Sequence, residues 1–291
     1  MTTIRESTLP NLIYRGKVRD THDIGDGQLL MVASDRISAF DIVLPNTIPD
    51  KGAVLCQISA FWFDKTKHII PNHLIALGNQ QTKIKLPPNY ARQSMIVKRA
   101  KRVDIEAIVR GYITGSAWSE YKKSGTVSGL PAPNGLREGD KFPEPIFTPT
   151  TKAEQGHDEN MSYEQVEALA GKDVAKNVKD TAIAVYNFAH DYAFKKGTLI
   201  ADTKMEFGFI DGQLSLIDEL LTPDSSRFWD TSGYAPGKSQ PNFDKQFVRD
   251  WLNAQGWNKE PPAPVMPDDI VEKTRQRYLE AYRRLTGKSL T

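Results

Sequence analysis

The stretch Leu199-Ile200-Ala201-Asp202-Thr203-Lys204-Met205-Glu206-Phe207-Gly208, followed by Phe209-Ile210 and the pair Asp211-Gly212, decides how this chain is read. Side chains two apart on a strand share a face, so Asp202, Lys204 and Glu206 fall on one side and Thr203, Met205 and Phe207 on the other. An Asp-Gly pair between two such runs is a hairpin turn, which predicts paired strands over 198–210 and 213–220. Three charges in a row, bordered by Leu199, Ile200 and Phe209, suggest a face with chemistry to perform. The same alternation also suits a solvated sheet face with internal ion pairs. The returning run brings Asp218 and Glu219 towards the same end, and carboxylates supplied singly by neighbouring strands suit Mg²⁺. A strict two-residue turn sets Glu206 opposite Ile217 and turns Asp218 to the other face. A shared metal therefore demands a bulge, for which Gly208 is the natural place, or a longer loop.

Working outward, residues 172–196 carry Val174, Val178, Ala182, Val185, Ala189 and Tyr192 at the 3–4 spacing of a helix with one buried stripe. Further helical patterns occupy 57–67, 115–123, 243–254 and 267–286, and strands are expected over 12–14, 29–33, 94–100 and 104–114. The Gly- and Pro-rich residues 125–161 read as one long connection, of the kind used for lids and binding loops. Strands and helices without strict alternation give an α+β class. The first third reads as a small β-rich lobe.

Of 291 residues, 39% are hydrophobic and 25% charged, which is ample for a core. Lysine and arginine number 38 against 36 acids, a net charge of +2 that gives no global attraction for nucleic acid or an anionic membrane. Any anion site is therefore local. Cys56 is the only cysteine, so no intramolecular disulfide forms. Residues 1–17 lack the apolar stretch of a signal peptide and no run approaches a membrane span, so the expected location is cytoplasmic. The sequon at Asn160 then carries no meaning.

A second cluster is Arg110-Gly111-Tyr112-Ile113-Thr114-Gly115-Ser116. A strand arginine followed by a helix start offers a guanidinium fork and unpaired N–H groups to a phosphate. A plain helix cap at Ser116 beside a surface arginine fits the same residues. A third is Arg15-Gly16-Lys17-Val18-Arg19-Asp20, a glycine among cations between strands, which suits either a cover over nucleotide phosphates or an ordinary hairpin. Residues 233–239 imitate a P-loop but have three residues between the glycines instead of four, and no apolar strand precedes them. The basic stretch 98–102 alternates with apolar residues and reads as a strand with a cationic face. The five histidines lack zinc spacing.

Taken together, 200–208 and 105–116 resemble the two signature tracts of the SAICAR synthetases. The likeness extends to Gly16–Asp20, Ser34–Asp41, Thr151–Glu154, His157–Asn160, Pro223–Arg227 and Asn242–Gln246, in order along the chain. Asp104 stands where many members have proline, a change that affects how the strand begins and not the chemistry. The length is similar to the longer, fungal-like branch, whose members tend to be monomers. The resemblance implies a two-lobed fold related to protein kinases and ATP-grasp enzymes, with antiparallel sheets. Residues 1–103 would be the ATP-binding lobe, and 104–291 would carry the metal and ribonucleotide sites. It further implies an ATP-dependent ligase of de novo purine biosynthesis. Such an enzyme joins L-aspartate to the carboxylate of 5-amino-1-(5-phosphoribosyl)imidazole-4-carboxylate (CAIR), giving SAICAR, ADP and phosphate through an acyl phosphate.

By the same resemblance Gly16, Lys17, Arg19 and Lys98 take ATP, while Glu206 and Asp218 hold Mg²⁺. Arg110, Ser116 and Arg227 take the ribonucleotide phosphate. Asp202 and Lys204 face the imidazole end as catalytic residues, and Lys152, His157 and Asp158 close over the substrates. A small-metabolite kinase of related fold accounts for the nucleotide loop and the metal pair but leaves aspartate without a role. A non-catalytic nucleotide sensor predicts the loss of a metal carboxylate, whereas Glu206 and Asp218 are both present.

Overall fold

The computed structural model describes residues 3–81, 84–152 and 158–290. The chain begins with β1 (Leu12–Arg15), β2 (Arg19–Gly25), β3 (Gln28–Ala33) and a separate pair, β4 (Arg36–Ala39) and β5 (Ile42–Thr47). Helix α1 (Lys51–Thr66), β6 (Leu74–Leu77), the short α2 (Pro88–Arg92) and β7 (Ser94–Lys98) follow. These build a five-stranded antiparallel sheet in the order β1-β2-β3-β7-β6.

Next come β8 (Lys101–Arg102), β9 (Ile105–Tyr112), α3 (Gly115–Ser124), β10 (Thr126–Val127), β11 (Leu130–Pro131), β12 (Lys141–Phe147) and β13 (Thr150–Thr151). The rest comprises α4 (Tyr163–Ala170), α5 (Lys172–Phe194), β14 (Thr198–Ile210), β15 (Gln213–Ile217), β16 (Ser226–Asp230), α6 (Gln246–Ala254) and α7 (Asp268–Thr286). A second, seven-stranded sheet runs β12-β9-β14-β15, with β13 on β9 and both β8 and β16 on β14.

Strand β14 is the axis of this sheet. Thr203, Met205 and Phe207 are fully buried, Met205 and Phe207 in the core that also takes in the α5 stripe of Val178, Ala182, Val185 and Ala189. Tyr186 of α5 donates its hydroxyl to the Ile200 carbonyl at 2.8 Å, and Gly111 of β9 makes room for that ring. A Cβ on Gly111 would lie 2.0 Å from the Tyr186 oxygen. The main core runs across both sheets, joining Met31 and Val97 to Val178 and Phe207. A second core sets Ile37 and Leu44 against Val248, Leu252 and Met266, so the last quarter of the chain packs on β4–β5.

The helix expected over 57–67 begins six residues earlier, at Lys51, because its first turns are buried on every side and show no amphipathic period. Residues 125–161 are not one plain connection, since β12 joins the large sheet. Its sequence, with Pro143 and Pro145, conceals a strand, and only an edge position tolerates those missing donors. Helix α4 went unanticipated, although Ser162 and Gln165 form a capping box.

The hairpin expectation needs a correction. Strands β14 and β15 pair without interruption from Ile210↔Gln213 to Glu206↔Ile217, so there is neither a bulge at Gly208 nor a longer loop. Asp211 and Gly212 both take positive φ, 53° and 79°, which is the tight turn that matches strand twist.

Candidate active site

Glu206 and Asp218 nevertheless meet. Strand alternation stops at Ile217, and Asp218 adopts a left-handed backbone with φ 65°. For a non-glycine residue that conformation costs about 1–2 kcal/mol. It swings the carboxylate back, and both acids line one cavity of about 600 Å³ between the two sheets. Burial, together with the Glu206 and Glu219 carboxylates, raises the Asp218 pKa against the pull of Arg19. A carboxylate so placed gains most from an added cation.

Strand β9 mirrors β14. Arg110 pairs with Asp202 and Ala107 with Met205, so one step further Glu106 faces Glu206. Like charges directly opposed on a sheet are unfavourable unless bridged. Here Lys204 reaches Glu106 at 2.7 Å and Glu206 at 3.2 Å, while Lys152 reaches them at 3.0 and 2.5 Å. Burial works against ionised Glu206, but the two ammonium groups outweigh it and bring its pKa down to about 2. Burial likewise opposes charged Lys204, and the surrounding carboxylates raise its pKa regardless. Arg19 spans Asp218 at 3.0 Å and Glu219 at 3.1 Å. Four carboxylates thus face three cations, an excess of one negative charge.

Other residues singled out from the sequence line the same cavity. Gly16 and Lys17 of the β1–β2 connection and Lys98 of β7 line the cavity, as does Asp158, which lies between β13 and α4. Lys17 is half exposed and pairs with Asp41 at 2.5 Å; Lys98 is exposed and lies 3.4 Å from Asp211. His157 lies outside the described residues.

Further back along β14 is a separate cationic cluster. Asp202 accepts from Arg110 at 2.9 Å and from Arg227 at 2.5 Å through the same oxygen. Arg110 also donates to Thr148 at 3.0 Å and to Ser116 at 3.3 Å. Gly115 opens α3 with φ 57°, and a Cβ there would lie 2.2 Å from the Arg227 guanidinium. Buried Arg110 and partly buried Arg227 on one carboxylate leave a positive surplus. Arg227 Nε is buried and, among the described residues, has no hydrogen-bond partner. Burial and the neighbouring Arg227 depress the Arg110 pKa despite Asp202. An entering anion relieves both strains. At about 3.3 Å per residue, Asp202 and Glu206 are roughly 13 Å apart along the strand, a separation that one small molecule can span.

Several residues at the site were not singled out from sequence. Glu106 could have been, since alternation places it on the Arg110 face of β9. Asp224 and Lys245 line the cavity from the 223–227 and 242–246 blocks. Asp224 accepts from Lys51 at 2.8 Å, Lys245 at 3.0 Å and the Tyr278 hydroxyl at 2.6 Å. Burial lowers the Lys245 pKa, with Asp224 opposing. No local pattern announced Lys51, which is wholly buried in the first turn of α1.

The donor set suits Mg²⁺. Among the described residues no cluster of three or more acidic, His or Cys side chains would cage a metal alone. Two carboxylates supplemented by phosphate oxygens are the usual Mg²⁺ arrangement.

Two sheets closing on an acid-and-cation cavity, with a two-arginine anion cluster behind it, define an enzyme that acts on a phosphate-bearing small molecule. The SAICAR synthetase profile matches residues 12–264. The phosphoribosylaminoimidazole-succinocarboxamide synthase of Chromobacterium violaceum is 53% identical over 280 residues, covering 94% of this chain and 98% of the relative. That of Elusimicrobium minutum is 53% identical over 284 residues, covering 96% and 97%. The Saccharomyces cerevisiae SAICAR synthase complexed with SAICAR superposes with a TM-score of 0.87 at 45% identity, covering 99% and 98%. A SAICAR synthetase in complex with ADP gives 0.70 at 27% identity, covering 95% and 98%.

The chain belongs to the SAICAR synthetase family. It is an enzyme of that type, and its activity is the ligase step of purine biosynthesis that joins aspartate to CAIR.

Proposed function

We propose that the chain carries out this ligation with ATP and Mg²⁺, using the one polar face of β14 as its ruler. The observation that carries the reading is the division of that face, with Asp202 between two arginines at one end and Glu206 beside Asp218 at the other. Arg110, Arg227 and Ser116 hold the ribonucleotide phosphate, and Asp202 fixes both guanidinium groups. That anchor directs the imidazole carboxylate towards Lys204 and Lys152. The Gly16–Arg19 loop and Lys98 face the nucleotide, and a relative of this chain binds ADP. Glu206 and Asp218 hold Mg²⁺, which when bound neutralises phosphate charge. Lys152 and Asp158 cover the reacting end.

A carboxylate is a poor electrophile, because its charge is delocalised and an oxide leaves badly. The carboxylate oxygen therefore attacks the γ-phosphorus, ADP departs, and an acyl phosphate forms. The uncharged aspartate amine then attacks the acyl carbon, phosphate leaves with the bridging oxygen, and the nitrogen gives up one proton to solvent. Phosphoryl transfer asks the protein mainly for positioning and charge neutralisation. Lys204, Lys152 and Arg19 supply it, and the reaction uses no protein nucleophile. Cys56 fits that reading: it is buried in α1, with its thiol pKa pushed up by burial to about 12.

The unit acts as a monomer in the cytoplasm, with 1–103 and 104–291 as its two lobes. No helix among the described residues is long and apolar enough to cross a membrane. Turnover of ATP with CAIR, assayed with and without L-aspartate, tests the function. The reading requires SAICAR and an ADP release that depends on aspartate. Equal ADP release without aspartate, with a phosphorylated metabolite accumulating, would mark a kinase instead.

A further inference from the structure

The left-handed backbone at Asp218 is what turns its carboxylate to the Glu206 side, and a conformation unfavourable for that residue needs something to hold it. One side chain does so visibly. The buried ring of His73 places Nε2 3.2 Å from the Asp218 carbonyl oxygen. A carbonyl only accepts, so Nε2 carries the proton and donates. The ring is itself immobilised, edge-on to Phe63 with centroids 5.3 Å apart.

The backbone of His73 is pinned on both sides. Its N–H donates to the Leu216 carbonyl of β15 at 3.0 Å, and its carbonyl accepts from Lys98 N of β7 at 2.8 Å. Asn72 adds rigidity, donating to the Phe63 carbonyl at 3.1 Å and accepting from Leu74 N at 3.1 Å. Residues 72–74 therefore lace the strand bearing Lys98 to β15, which ends one residue before Asp218.

We infer that His73 is a positioning residue for the metal site, its Nε2–H clamping the Asp218 carbonyl so that the Asp218 carboxylate stays on the face of Glu206. Without the clamp, Asp218 relaxes towards extended backbone and strand alternation carries its carboxylate to the opposite face. The acid pair is then present only in a minor conformation, and metal affinity falls by the fraction that remains competent. The inference rests on the proposed role of Glu206 and Asp218 as metal ligands.

Mn²⁺ binding to the full chain, followed by electron paramagnetic resonance with ADP present, tests it. His73→Phe keeps the ring and its packing but removes the donor, and His73→Leu is read in its place should the phenylalanine variant not fold. Either raises the Mn²⁺ dissociation constant about five- to tenfold, the size of one lost buried hydrogen bond. ADP binding without metal stays at the wild-type value, and His73→Gln, which retains an N–H donor, recovers most of the affinity. Wild-type Mn²⁺ affinity in the donor-less variant would overturn the inference, as would a glutamine variant no better than phenylalanine or a parallel loss of metal-free ADP binding. Asp218→Asn separates the two levels. If it leaves Mn²⁺ binding unchanged, the metal-ligand reading itself fails; if it weakens binding and the His73 variant does not, only the clamp fails.

Discussion

At the residue scale the account depends on charge held at defined points. Glu206→Gln and Asp218→Asn preserve shape but remove the charge proposed to hold Mg²⁺ against phosphate. Each should lower kcat by on the order of 10²–10³, as the loss of a group that stabilises transition-state charge does. Circular dichroism should remain that of the wild type, and near-normal turnover in either variant would contradict the assignment. The arginines predict a different pattern, because the phosphate we propose they hold is remote from the reacting carboxylate. Each charge-assisted bond is worth about 1.5–3 kcal/mol, so Arg110→Ala or Arg227→Ala should raise the KM for CAIR roughly ten- to hundredfold. The fall in kcat should be smaller and the KM for ATP nearly constant. Lysine should rescue only in part, since Arg110 uses three separate nitrogens on Thr148, Asp202 and Ser116. A steady-state comparison in which ATP affinity moves and CAIR affinity does not would place the arginine on the nucleotide side.

At the element scale, legibility followed periodicity. The 3–4 stripe of α5 and the alternation of β14 with its Asp-Gly turn were readable because one face of each is uniformly buried. Strand β12 was not, because prolines at an edge erase the alternation that marks a strand. Buried on every side, the first turns of α1 have no polar face to set a period. Alternation gives the register, Glu206 opposite Ile217, but its corollary that Asp218 turns away from Glu206 in a regular hairpin does not hold. What it does not encode is a left-handed residue just past the strand end, and that residue assembles the acid pair. The joint between β9, β14 and α5 gives a test at this scale. Gly111→Ala drives a methyl into Tyr186, whose hydroxyl is tied to the Ile200 carbonyl, and overpacking of this kind costs about 1–3 kcal/mol. Thermal denaturation should show a lowered Tm, with wild-type KM values in the protein that remains folded. An unchanged Tm would mean that α5 shifts freely against the sheet.

For the molecule as a whole, family blocks from residue 16 to residue 246 converge on one cleft, which is why several motifs in order were more informative than any one alone. Taken singly, the glycine loop, the arginine strand and the charged strand each had an ordinary structural explanation. Their meaning comes from tertiary contacts between residues far apart in sequence, such as Arg19 with Asp218, Lys152 with Glu206, and Lys51 with Asp224. The proposed chemistry has an order, because the carboxylate must be activated before aspartate can attack. Oxygen tracing tests that order most directly. CAIR labelled with ¹⁸O in its carboxylate is turned over with ATP, Mg²⁺ and L-aspartate, and the released phosphate is analysed by mass spectrometry. The account predicts one labelled oxygen in the phosphate for each SAICAR formed, carried over from the carboxylate through the acyl phosphate. Unlabelled phosphate, with SAICAR still produced, would contradict it.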